Sequence, residues 1–252
     1  MTQDDSKEPA LYIKVTKDGP YLVFGDVDVR QSIIQPNQQG HSWNYLKGET
    51  YTCAEKPCAL CRCGQSGNKP FCDGSHEKTA FDGTETAPRE PVLDKAAVYK
   101  GPHYTLYDNE LYCAFARFCD AFGQVWNLVR DGRLEADELA VRETEHCCAG
   151  RLMIQNNETG EMMEPALEKA IDVIEDPAIR SSGPLYVKGG IQVVAEDGTH
   201  YEIRNRQTLC RCGASHNKPF CDGTHASIHF DDGLLEDRGK ARPRRRKAPP
   251  AR

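Results

Sequence analysis

The sequence says one thing twice. Residues 61–76 read CRCGQSGNKPFCDGSH, and residues 210–225 read CRCGASHNKPFCDGTH, 149 positions later with 13 of 16 letters unchanged. Each copy carries three cysteines and one histidine, so any fold must build two equivalent donor sets. The first is Cys61, Cys63, Cys72 and His76; the second is Cys210, Cys212, Cys221 and His225. Cys-x-Cys puts two donors on one tight turn, and the histidine follows the third cysteine by about one helical turn. Asp73 and Asp222 sit where a carboxylate can cap a short helix. Gly64, Gly74, Gly213 and Gly223 allow close backbone approach. Lys69-Pro70 and Lys218-Pro219 stiffen the intervening loop and bring a cation near the donors.

Three thiolates with one imidazole suit zinc, copper(I) or an iron–sulfur centre, and spacing alone leaves a Cys3His zinc site open. The full pattern, Cys-x-Cys-x2-Ser-x3-Pro-x-Cys-Asp-Gly-(Ser/Thr)-His, resembles the signature of the CDGSH iron–sulfur domains, the mitoNEET-like family. Both copies match it, including Ser66 and Ser215. The resemblance implies two [2Fe–2S] clusters, each held by three cysteines and one histidine on a small β-rich fold. It also implies that the two copies pair as a pseudo-two-fold unit within one chain. The 133 residues between His76 and Cys210 leave room for that return.

One histidine among the ligands has consequences of its own. Replacing two cysteines by histidines lifts a Rieske centre well above an all-cysteine ferredoxin, so one histidine predicts an intermediate potential. A protonated ring cannot ligate, so acidification below roughly pH 6 is expected to release the clusters.

The flanks repeat as well. Gly19-Pro20-x-x-Val23-x-Gly25-x-Val27-x-Val29 is echoed by Gly183-Pro184-x-x-Val187-x-Gly189-x-Ile191-x-Val193, and Phe81-Asp82 by Phe230-Asp231. Alternating apolar residues predict strands at Leu11–Thr16 and Tyr21–Phe24, joined by a turn at Asp18-Gly19-Pro20. The expected class is α+β: a first module over 1–93, an insert over 94–170, a second module over 171–237 and a basic, disordered tail over 238–252. Residues 1–10 read as a frayed polar leader. In the insert, Tyr112, Phe115, Phe118, Phe122, Val125 and Trp126 recur at helical spacing, and Asp137–Thr144 and Pro165–Glu175 read as two further helical stretches.

The insert's Cys113, Cys119, Cys147 and Cys148 resemble the divergent single-cluster ferredoxin-like domain that accompanies CDGSH motifs. They depart from a ferredoxin in lacking the C-x2-C-x2-C run, which favours buried or free thiols. Cys53 and Cys58 have Glu202 and Gln207 as counterparts in the second copy, so they read as free thiols outside the metal sites.

Composition narrows the function. Twelve cysteines without a secretory leader point to metal ligation in a reducing, cytoplasmic setting. The net charge of −6 combines eight basic residues in 238–252 with a body of −14, which argues against nucleic acid as a partner. No apolar run is long enough for a membrane span. No nucleophile–base set or phosphate-cradling glycine motif is present, so an enzyme is not expected. The expected roles are electron transfer or redox sensing with an unspecified redox partner, cluster delivery to an apo-protein, or a zinc-stabilised interaction module.

Overall fold

The computed structural model describes residues 9–234; the first eight residues of the leader and the basic tail lie outside them. Tyr12–Val15 (β1) and Tyr21–Phe24 (β2) form a hairpin about the Asp18-Gly19-Pro20 turn. Asp28–Pro36 (β3) and Ser42–Tyr51 (β4) form a longer one, and Cys58–Leu60 (β5) returns to pair with β2. The first ligand loop follows and ends in a one-turn helix, Ser75–Lys78 (α1). The middle contributes Ala97–Lys100 (β6), Tyr104–Asp108 (β7), Val125–Asp131 (α2), Leu134–Glu145 (α3), Leu152–Asn156 (β8) and Met162–Met163 (β9). The last third runs Ala170–Asp176 (β10), Ser181–Lys188 (β11), Gln192–Val194 (β12), Arg206–Leu209 (β13) and Thr224–Ser227 (α4).

The chain is mixed α+β, and its sheets interlock. One has the order β12-β1-β2-β5 and the other β13-β11-β10-β3-β4. Each takes one parallel strand from the opposite half: β12 lies beside β1, with Ile13 opposite Val193, and β3 lies beside β10, with Val29 opposite Ile171. The exchange is reciprocal, as two copies of one hairpin unit related by a pseudo-two-fold require. Ile13, Val15, Val23 and Leu60 from the first half and Ile171, Val187, Ile191 and Leu209 from the second therefore bury into one core. At about 1.5–3 kcal/mol per buried aliphatic side chain, neither half keeps a comparable core alone.

The insert is itself α+β, a sheet of order β6-β7-β8-β9 packed against α2 and α3 through Leu106, Val125, Val129, Ala140, Leu152 and Ile154. Two helical expectations fail here. The aromatic run from Tyr112 to Trp126 is not one helix: Phe115 and Arg117 take φ of 53° and 61°, which breaks it into short 3-10 turns before α2. Pro165–Glu175 is not helical either, since β10 occupies its second half. All seven β10 residues are buried between β3 and β11, and a strand covered on both faces loses the alternation that marks a half-exposed one. The chain has also crossed onto the second half before residue 93. Glu85 Oε2 accepts from the Tyr201 hydroxyl at 2.6 Å, and Val92 N donates to Glu202 Oε2 at 2.9 Å.

Candidate metal centres

Each ligand loop is closed at its base by strand pairing. Cys61 N donates to Pro70 O at 2.8 Å and Cys72 N to Ala59 O at 2.9 Å; Cys210 N to Pro219 O and Cys221 N to Thr208 O repeat those distances. The conserved letters of the two copies each have work within the loop. Ser66 Oγ donates to Phe71 O at 2.6 Å and accepts from Asn68 N at 3.0 Å; Ser215 Oγ does the same with Phe220 O at 2.7 Å and Asn217 N at 3.0 Å. Asp73 stands one residue before the N-cap of α1, which is Gly74. One carboxylate oxygen accepts from Ser75 N at 3.0 Å and the other reaches back to Gly67 N at 2.7 Å, so it ties the helix to the loop. Burial pushes Asp73 up, but the bonds from Ser75 and Gly67 outweigh it and hold the carboxyl at about 2. Asp222 ties Thr224 N to His216 N in the same way.

The eight donors fall into four pairs. Cys61 Sγ lies 3.9 Å from Cys63 Sγ, and Cys72 Sγ lies 3.4 Å from His76 Nδ1. In the second copy the separations are 3.7 Å for Cys210–Cys212 and 3.3 Å for Cys221–His225 Nδ1. Two ligands on one tetrahedral metal with bonds of about 2.0–2.3 Å stand about 3.3–3.8 Å apart, and each pair has close to that spacing. Among the described residues no three Cys, His, Asp or Glu side chains converge as ligands of one ion. Two metals with two protein ligands each fit this pairwise spacing.

Burial pushes the thiols of Cys63, Cys72 and Cys221 up, and the backbone amides of Gln65, Gly74 and Gly223, which point at those sulfurs at 3.4–3.5 Å, offset only part of it. A hydrogen bond between the two sulfurs holds the Cys210 thiol down and pushes that of Cys212 up. Burial, reinforced by Arg211, lowers His225 to about 4. A neutral imidazole is the form that ligates metal.

The model of the iron-binding zinc finger of CDGSH type matches residues 18–77 and 182–226. Both segments are of the CDGSH type. No curated protein and no solved structure matches the chain. The two CDGSH segments meet at their Cys-x-Cys-Gly turns. A Cβ on Gly64 would stand 2.6 Å from Cys212 O, and one on Gly213 would stand 2.6 Å from Cys63 O. Tyr21 of the first segment locks the second ligand loop, its hydroxyl lying 2.8 Å from Cys210 O and 2.9 Å from Pro219 O. The CDGSH segments differ in cover. Cys72 and His76 are partly exposed, whereas Cys221 and His225 are buried beneath the insert, with Cys113 O and Phe115 against Gly223.

The insert's four cysteines are unpaired thiols, as expected, but they are not scattered. Cys113, Cys119, Cys147 and Cys148 line one small cavity with Arg117 and Arg151. Burial and the neighbouring sulfurs of Cys147 and Cys113 push Cys119 up to about 12, and Cys148 rises for the same reasons. The positive-φ turns at Phe115 and Arg117 wrap the chain around this cavity. The residue spacing alone could not show that closure.

The free-thiol reading of Cys53 and Cys58 is wrong. They form a disulfide, with their Cα atoms 5.6 Å apart across the link from β4 to β5. Their absence from the second copy shows only that the metal sites do not need them; it says nothing about their pairing with each other. Among the described residues no helix is long and apolar enough to cross a membrane.

Proposed function

We propose that this chain binds two [2Fe–2S] clusters and acts in electron transfer or redox sensing. Cys61 and Cys63 would hold one iron and Cys72 and His76 the other; Cys210 with Cys212 and Cys221 with His225 repeat the arrangement. The pairwise donor spacing carries the reading, because it suits two metals per site. Such a cluster supplies one-electron chemistry at a potential tuned by its ligands and surroundings. The chain's part is to supply six cysteine sulfurs and two imidazoles in pairs and to bring the two sites together. It is a carrier of electrons rather than an enzyme.

Two narrower readings have their own support. The four thiols around the insert cavity are the ligands that a third cluster would use; an iron count above four that falls to four when Cys113, Cys119 and Cys147 are replaced by Ser would support one, and a count of four in the wild type would leave them as free thiols. The part-exposed His76 favours cluster delivery as the alternative function. Incubation with an apo-ferredoxin separates the roles: electron exchange with iron retained supports transfer of electrons, whereas movement of iron and sulfide to the acceptor supports delivery.

A further inference from the structure

The two CDGSH sites are built alike and surrounded unlike. In each, the residue between the first two cysteines is a buried arginine, Arg62 at 1% and Arg211 at 3% exposure. Each guanidinium lies over the phenylalanine that follows the histidine, 5.6 Å from the Phe81 ring centre and 5.5 Å from that of Phe230. Around Arg211 the charge is answered. Glu175 Oε1 stands 2.7 Å away, Asp232 pairs with the other arm, and the carbonyls of Gly183 and Ile174 take the remaining donors.

Arg62 has no ion pair among the described residues. It donates to the carbonyls of Thr16 and Gly83 and faces the Tyr21 ring, and its Nε has no partner. The difference is written in the repeat: the position of Asp232 is occupied by Gly83 in the first copy. Asp18 and Asp82, the acids beside Gly83, are exposed. Solvent differs in the same sense, since Cys221 and His225 are 2% and 4% exposed while Cys72 and His76 are open on one side.

An electron added to a thiolate-held centre adds one negative charge. An unanswered cation and nearby water both stabilise that charge; a neutralised cation in a dry pocket does not. Resting on the [2Fe–2S] reading, we infer that the two sites are held at different potentials, so that the first electron from a one-electron donor settles at the His76 site. Arg62 is the tuning residue, and Glu175 and Asp232 cancel its counterpart. The His76 edge is then both the first to be reduced and the one open to a partner.

The test is a potentiometric titration of the full chain, purified anaerobically, with dithionite as reductant and reduced centres followed by electron paramagnetic resonance. Iron and sulfide are counted first on the same sample, so failure of the cluster reading is seen separately. Two one-electron steps are expected, with at least a tenfold preference for one site, about 59 mV apart. His76→Cys should lower the upper step alone and His225→Cys the lower step alone. Arg62→Gln should shift the upper step downward, and Asp232→Asn the lower step upward. A step moved by neither histidine variant belongs to the insert's thiols. Where an arginine or aspartate variant does not fold, the two histidine variants still assign the order. Coincident steps, or an upper step that moves with His225, would overturn the inference.

Discussion

Gly64 and Gly213 are residues at which the two ligand loops touch backbone to backbone. Their φ values of 76° and 81° lie where an L side chain is strained by about 1–2 kcal/mol, and a Cβ would also collide with a carbonyl of the opposite ligand loop. Gly74 has a similar φ of 83° but open space around it. Gly64→Ala is therefore expected to cost about 3 kcal/mol in denaturant unfolding, against about 1 kcal/mol for Gly74→Ala. Equal losses would mean that the junction is looser than described. The glycines were legible as residues that permit close approach; what they approach was not, because contact between two loops 149 positions apart depends on the exchange of strands.

Glu143 makes a second prediction at this scale. Burial pushes it up to about 7, against a bond from Phe122 N at 2.9 Å, and its other oxygen has no partner. Its folded pKa exceeds the unfolded value of about 4.3, so the folded protein binds the extra proton between those limits. The favourable contribution is complete below about pH 4.3 and is lost as the pH rises to about 7. Glu143→Gln should stabilise the chain by about 2 kcal/mol at pH 8 relative to pH 5, in urea titrations compared with wild type. No pH dependence in that difference would contradict the assignment.

At the scale of elements, β13 joins the insert to the second CDGSH segment through Arg206. This side chain is 1% exposed, donates to the carbonyls of Thr144, Cys147 and Leu152, and pairs with Glu164 at 2.5 Å. Arg206→Met would leave those acceptors buried and unanswered, a loss of about 3 kcal/mol. Thermal unfolding would measure it; a change under 1 kcal/mol would show that the insert docks by apolar contact alone. The β1–β2 hairpin was readable because its faces alternate. β10 was not, since its neighbours cover both faces, and the stretch from Tyr112 to Trp126 imitated a helix while wrapping a cavity. Cys53 and Cys58 were misread for a similar reason: the approach that joins them is made by the chain's turn into β5.

At the scale of the whole molecule, two copies of one unit share a single core by exchanging strands, and the exchange sets their ligand loops against each other. The duplication, and the eight side chains that the two loops set in pairs, could be read from the letters. The grouping of those donors into pairs, the cover the insert gives to one site, and the unequal company of Arg62 and Arg211 could not. They are properties of packing between segments far apart in sequence.

The most direct test of the central claim is the visible absorption spectrum of anaerobically purified protein, with iron, sulfide and zinc counted per chain. The account predicts at least four irons and four sulfides, little zinc, and visible absorption that dithionite bleaches. A colourless chain holding two zinc ions and no sulfide would contradict it.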